Sequence, residues 1–332
     1  MEISLRRQSL AIPIRQTHDV GDARRQAQYA IKDRFDETAV GRVGIVVTEL
    51  AGNLVKHAGG GTIILRLLEI GSETGLEVIS LDDGPGMDLQ KCMEDGYSTA
   101  GSPGTGLGAV NRLTTSLDIY SLHGKGTVMV ATLWPGAAPK AVFDIGAVCL
   151  PVAGERLCGD GWAVRETTGG LDLMVSDGLG HGPVAAEASD LALEIFSRKP
   201  DANPGPMLEL MHGALRTSRG AAVLTGRIDT ARNQLVCAGI GNISGYIMMA
   251  PRPKGIVSMN GIVGHQAARA KEFSYDCGAD DLIIFHSDGL TTHWKLDEFP
   301  GLASRSASLI AAMMYKHFRR GRDDATVLVV RR

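Results

Sequence analysis

Four aspartates in the second half of the chain stand beside glycine or at the ends of apolar runs. They are Asp160 in Cys-Gly-Asp-Gly-Trp, Asp177 in Ser-Asp-Gly-Leu-Gly-His-Gly, Asp288 in His-Ser-Asp-Gly-Leu and Asp323 in Arg-Asp-Asp-Ala-Thr. Carboxylates gathered at strand ends repel one another unless cations separate them. Hard divalent ions with carboxylate and water ligands answer that need. Two such ions a few ångströms apart activate water for in-line attack at phosphorus. A single Asp-Gly is ordinarily only a turn. Three of them, together with Asp-Gly-x-Gly-His-Gly and an Asp-Asp-x-Thr before an apolar run, point to a two-metal phosphoester site.

The first half carries a different set. Glu49 and Asn53 lie at i, i+4 in a helical pattern, so both face one ligand. Asn offers a neutral oxygen to a hard cation and Glu offers a base. Asp82-Asp83-Gly84-Pro85-Gly86 follows an apolar strand, where glycines let a flat ring approach the backbone beside a carboxylate. Gly104-Thr105-Gly106-Leu107-Gly108 opens a helical pattern, and N–H groups at a helix start attract anions. Gly124-Lys125-Gly126-Thr127 reads as a hairpin turn entering a strand. Taken singly, each segment is compatible with an ordinary turn or a solvated face. No GxxxxGK[ST] occurs, and no βαβ pattern surrounds the glycines as a dinucleotide fingerprint requires.

The elements that must position these residues follow from periodicity. In the first half, helices are expected at Asp22 to Phe35, Val43 to His57 and Gly106 to Leu117. Strands are expected at Thr62 to Ile70, Leu76 to Leu81, Leu117 to Leu122 and Thr127 to Trp134. This is an α+β pattern, with helices on one face of a mostly antiparallel or mixed sheet. In the second half, strands are expected at 142–150, 161–166, 171–176, 221–229, 234–240, 244–249, 282–286 and 326–330. Helices are expected at 183–196, 207–216 and 302–318, which suggests two packed sheets flanked by helices. Pro135-Gly136-Ala137-Ala138-Pro139 stops either kind of element. The domains are therefore placed at 1–135 and 142–332, with 136–141 as linker.

Composition narrows the function classes. The chain has 332 residues, enough for two domains each with its own core. Its formal charge of -3 gives no bulk attraction to nucleic acid or an acidic membrane surface. The five cysteines form no CxxC pair, so reduced thiols in a cytoplasmic setting are expected rather than a disulfide framework or zinc knuckle. No run of about 18 apolar residues predicts a membrane span, and the N-terminus lacks the apolar core of a secretory signal.

In order and spacing, the first-half segments resemble the N, G1, G2 and G3 boxes of the GHKL (Bergerat-fold) ATPase superfamily. The strings TELAGNLVKHAGGGTI, DDGPGM and DGYSTAGSPGTGLGAVNRL resemble most closely the RsbT-like switch serine kinases, over residues 9–134. The resemblance implies that Asn53 holds Mg²⁺ on the phosphates of ATP and that Glu49 orients or deprotonates the acceptor hydroxyl. It implies that Asp82 binds the adenine amino group, with Thr127 supporting it through water. Gly84 and Gly86 would give the ring room, and Gly104, Gly106 and Gly108 would wrap the phosphates. Residues 88–103 would form a short lid. His57 takes a structural role rather than that of a phosphoacceptor.

The strings GDGWAV, VSDGLGHGPVAAEAS, AGIGN, FHSDGL and RDDATVLVV resemble the SpoIIE/RsbX branch of the PPM (type 2C) phosphatases, over residues 142–332. By that resemblance Asp160 and Asp177 bind or bridge Mn²⁺ or Mg²⁺, with the Gly178 carbonyl as a further ligand. Asp288 and Asp323 hold the second metal, and Asp324 and His181 are subsidiary. No arginine matches the substrate-phosphate clamp of eukaryotic relatives. The implied architecture is a GHKL α/β sandwich followed by a PPM β-sandwich flanked by helices. The implied activity is a Ser/Thr kinase and an opposed Ser/Thr phosphatase acting on a STAS-domain protein in a partner-switching or stressosome pathway. A second copy of the chain is a candidate partner. The alternative is a phosphatase whose N-terminal ATP-binding module is regulatory and does not transfer phosphate.

Overall fold

In the computed structural model, residues 9–88, 106–249, 252–266 and 269–332 are described. The chain divides into two compact units, Ser9–Lys140 and Ala141–Arg332.

The first unit is a five-stranded, wholly antiparallel sheet in the order β1-β2-β3-β5-β4: β1 Leu10–Ile14, β2 Gly61–Ile70, β3 Glu73–Leu81, β4 Ser116–Leu122 and β5 Gly126–Leu133. Among the described residues, helices α1 (Thr17–Ile31), α2 (Glu37–Ala58) and α3 (Gly106–Leu113) accompany it. Alternation along the strands sends Ile63, Leu65, Val78, Met129 and Ala131 into one core with Val43, Val47, Leu50, Ala51 and Leu54 of α2. That spacing is one apolar helical stripe, and it leaves Glu49 and Asn53 half-buried beside it.

By length and composition alone α2 could cross a membrane, but its apolar stripe is the core of this unit. It begins six residues before the expected Val43 because Asp36 caps it, its carboxylate accepting the Ala39 N–H at 2.7 Å. Helix α1 likewise starts at Thr17, not Asp22, since Asp19 accepts the N–H groups of Arg15 and Gln16. It ends at Ile31. Strand β1 was not expected from the sequence. It is five residues long and contains Pro13, which an edge strand tolerates.

The second unit packs two five-stranded antiparallel sheets face to face. One runs β13-β10-β9-β8-β7 and the other β12-β11-β14-β15-β6. Their ranges are β6 Asp144–Leu150, β7 Asp160–Thr167, β8 Gly170–Gly178, β9 Ala221–Asp229, β10 Gln234–Ile240, β11 Ser244–Met248, β12 Lys254–Ile256, β13 Phe273–Asp276, β14 Leu282–His286 and β15 Ala325–Arg331. The short edge strands β12 and β13 carry too few residues for a period to show in sequence.

Strand β8 explains the layering. Leu171, Leu173 and Val175 enter the inter-sheet core with Trp162, Leu224, Phe285 and Leu328. Met174 faces the other way, among Phe196 of α4 (Pro183–Arg198) and Met207, Leu208 and Met211 of α5 (Pro204–Ala214). On the second sheet, α6 (Ala307–Phe318) lies so close to β6 that a Cβ on Gly146 would overlap the backbone of Ala307. The expected 302–318 helix is shortened at its start, because Ser306 caps α6 at Leu309 N–H.

A buried charge cluster fixes the β7–β9 edge. Asp172 accepts from Arg165 Nη2 at 2.7 Å and from Arg227 Nε at 2.6 Å, while both arginines also reach carbonyls around Pro200. Removing one member of such a cluster strands a buried charge. Asp172→Ala is expected to destabilise the second unit by roughly 3–5 kcal/mol, read as a lowered urea midpoint by tryptophan fluorescence. Asp172→Asn, which keeps one acceptor oxygen but sets an amide N–H₂ against an arginine donor, should lose a comparable amount.

Candidate functional site

In the first unit, Asp82 lies just past the end of β3 and is 9% exposed. Its Oδ1 accepts the Gly84 N–H at 2.8 Å and the Thr127 N–H at 3.1 Å, and its own N–H donates to the Thr127 carbonyl. These bonds tie the carboxylate to the Asp82–Gly86 segment and to the start of β5. The Thr127 hydroxyl lies 2.9 Å from Ser121 Oγ, which in turn accepts the Met87 N–H.

Glycine is required at two places. Gly126 has φ +78 and a Cβ there would overlap the Asp82 carbonyl oxygen; Gly86 has φ +80 and a Cβ there would press on the Leu122 carbonyl. A Cβ on Gly84 would lie 2.9 Å from that of Ala58 at the end of α2. Glu49 sits against the first turn of α3, where a Cβ on Gly106 would lie 3.0 Å from Glu49 Oε2. The structure thus brings Glu49 of the N-box helix to the glycine segment expected at the phosphates, with Asn53 one turn further along α2. Gly108 lies within α3. Gly104 and most of the expected lid, 88–103, lie outside the described residues. His57 is exposed.

In the second unit, Asp160 and Asp177 are direct cross-strand neighbours on β7 and β8. Asp160 is 2% exposed and its Oδ2 accepts from Ser287 Oγ at 2.6 Å. Ser287 Oγ also accepts the Thr326 N–H. Behind it, buried His286 is held between the Ser287 carbonyl and the Trp294 indole N–H, and burial lowers its pKa. Because Nε2 accepts from the indole, the ring carries its proton on Nδ1, donates it to the Ser287 carbonyl and so fixes Ser287.

Asp288 follows β14, and its Oδ2 accepts from Asn242 Nδ2 at 2.7 Å. Asp323 accepts the Asp324 N–H. Asp324 precedes β15 and is 2% exposed; its two oxygens take the N–H groups of Val152 at 2.7 Å and Gly159 at 2.6 Å, so it ties the loop before β7 to β15. Gly178 ends β8, where a side chain would overlap the Ala185 carbonyl. His181 pairs with Glu155 at the rim, Nδ1 to Oε1 2.8 Å.

Electrostatics show what the cluster lacks. Burial, opposed by the Ser287 hydrogen bond and reinforced by Asp324 and Asp323, pushes Asp160 up to about 7. Burial, with Asp160, Asp288, Asp323 and Asp324 repelling, drives Asp177 well above the usual carboxylate range. Asp288 and Asp324 are also raised, first by burial. Among the described residues, no three His, Cys, Asp or Glu side chains close around one point as a finished metal cage. The donor set nonetheless fits hard divalent cations: it is all oxygen, and its members oppose one another's ionisation.

Sequence reasoning missed Asn242, Ser287, His286 and Trp294. The first three sit inside motifs already singled out, AGIGN and FHSDGL, but their partners are distant in sequence.

Two family models match the chain. The family described as Stage II sporulation protein E (SpoIIE) matches residues 167–332, and the histidine kinase-like ATPase domain matches residues 13–133. The serine/threonine-protein kinase RsbT of Bacillus subtilis (strain 168) is 36% identical over 118 residues, which is 35% of this chain and 89% of RsbT. The phosphoserine phosphatase RsbX of the same organism is 24% identical over 142 residues, 41% of this chain and 69% of RsbX. A solved structure from work on the bacterial stressosome, a modular system adapted to control secondary messenger signalling, aligns with a TM-score of 0.54 at 28% identity. It covers 57% of this chain and all of that one. The chain belongs to the SpoIIE family through its C-terminal half, fused to an RsbT-like module of the histidine kinase-like ATPase type that precedes it.

Proposed function

We propose that the chain is a bifunctional switch enzyme, an ATP-dependent Ser/Thr protein kinase joined to a Mn²⁺- or Mg²⁺-dependent Ser/Thr protein phosphatase. The carrying observation is the buried cross-strand pair Asp160 and Asp177, whose neighbours Asp288, Asp323 and Asp324 oppose its ionisation. Asp160, Asp177 and the Gly178 carbonyl would hold one ion, Asp288 and Asp323 the other. The ions supply charge neutralisation and an activated water. Ser287 orients Asp160, Asn242 orients Asp288, and Asp324 keeps the loop before β7 in place.

In the first unit, Asp82 would accept from the adenine amino group and Asn53 would hold Mg²⁺. Glu49 would take the proton of the acceptor hydroxyl. RsbT and RsbX, similar to the two halves, are by name a kinase and a phosphatase, and the stressosome likeness favours a STAS-domain protein as the shared substrate.

The test is hydrolysis of p-nitrophenyl phosphate by the full chain, with activity expected only with Mn²⁺ or Mg²⁺ and lost on chelation. Metal binding is also readable without turnover. A carboxyl raised in the fold keeps its proton to higher pH than in the unfolded chain, so the metal-free fold loses stability as pH climbs from about 4 to the Asp160 value of about 7. Below about 7, ions must displace that proton. The rise in Tm with Mn²⁺ is therefore expected to be larger at pH 8 than at pH 6. Activity that survives chelation, or an equal rise at both pH values, removes the two-metal reading.

A further inference from the structure

The carboxylate cluster accounts for metals, but its own side chains offer no cation to the substrate's phosphoryl dianion. The segment after α6 supplies one. Arg320 donates its N–H to the carbonyl of Gly289, the residue after Asp288, at 2.8 Å. The same ladder continues with Thr291 N–H to Phe318 O at 2.9 Å and a bridge between Leu290 and Arg319. Arg320 is thereby fixed in the chain beside Asp288 and three residues before Asp323.

Its side chain is exposed and makes no ion pair among the described residues. Its charge is felt at Asp288, where it opposes the effect of burial. The neighbouring Arg319 is differently employed, its guanidinium lying 4.9 Å from the centre of the Tyr315 ring. An exposed guanidinium anchored through its backbone beside Asp288, and outside any ion pair among the described residues, keeps its fork of donors open. That fork matches two oxygens of a phosphoryl group.

We propose that Arg320 is the phosphate-gripping residue of the phosphatase site, holding non-bridging oxygens of the substrate phosphoryl group at the Asp288–Asp323 edge of the carboxylate cluster. This rests on the metal-centre reading above. It also explains how a chain without an arginine in the usual clamp position can bind the reacting group: the grip comes from the segment linking α6 to β15.

The experiment uses the full chain loaded with Mn²⁺. Inorganic phosphate is titrated by calorimetry, and p-nitrophenyl phosphate hydrolysis gives KM and kcat. Arg320→Ala is expected to weaken phosphate binding and raise KM by about tenfold, with kcat changed much less. Arg320→Lys, which keeps the charge but loses the fork, should fall between. Arg319→Ala should leave both values unchanged, and the Mn²⁺ titration should be the same in all four proteins. Phosphate affinity within about twofold of wild type in Arg320→Ala overturns the proposal, as does an equal loss in Arg319→Ala. A shift in Mn²⁺ affinity that accounts for the whole effect also overturns it, since Arg320 would then only set the charge on Asp288. Phosphate bound through Arg320 by a chain that does not hydrolyse the ester would instead remove the phosphatase reading and leave the anion site standing.

Discussion

Asp177→Asn is expected to reduce Mn²⁺-dependent phosphoester hydrolysis by the full chain on the order of 100-fold or more. Asp177 is the cross-strand neighbour of Asp160 and the carboxylate on which all four others act. The amide keeps size and shape but removes the charge that draws a divalent ion into a buried site. The fold should survive and even gain stability without metal at neutral pH, because folding no longer has to take up a proton at a carboxyl whose ionisation burial and four neighbours oppose. The Mn²⁺-dependent rise in Tm should shrink in parallel with activity. Full activity in the variant, or activity lost with the Mn²⁺ shift intact, contradicts the assignment. Applied with ATP and a purified STAS-domain partner, the same variant should let phosphate accumulate on one Ser or Thr that the wild-type chain keeps clear.

The second large effect is expected in the other unit. Glu49→Ala should abolish phosphorylation of that partner, a loss on the order of 100-fold or more for removal of a positioned base. ATP should still bind, because the adenine contact belongs to Asp82, whose orientation depends on Gly84 and Thr127 rather than on α2. Calorimetry with ATP and Mg²⁺ separates the two roles: Asp82→Asn should weaken nucleotide binding about tenfold or more, and Glu49→Ala should not. If Asp177→Asn accumulates no phosphate in the presence of ATP, the first unit is a non-transferring regulatory module. If phosphate accumulates on a residue the wild-type phosphatase cannot clear, the two sites serve different substrates. The fusion motivates a shared one, since a single chain keeps both sites at high effective concentration over one partner.

Much of the fold was legible because its signals are local. Strands β9, β10 and β14 have the expected limits, since alternating or continuous apolar runs end at turn residues. Boundaries set by side-chain caps were missed. Asp36, Asp19 and Ser306 each shift a helix start, and their effect depends on which backbone N–H they meet. The edge strands β1, β12 and β13 were invisible because pairing, not pattern, makes them strands.

The sequence by itself determined which residue types stand at strand ends and helix faces. The aspartates of the second half, the Glu49–Asn53 pair and the glycines at 84, 86 and 126 are all local statements, written in single motifs. Tertiary structure alone decided how they are held. Ser287 reaches Asp160 across 127 residues, Asn242 reaches Asp288 across 46, and Asp324 reaches Gly159 across 165. It also made Asp324, a secondary candidate in sequence, the brace of the loop before β7, and brought Arg320 beside Asp288. The reason is physical: a carboxylate's chemistry depends on its burial and on the charges and donors around it, and in a sheet sandwich those neighbours come from strands far apart in the chain.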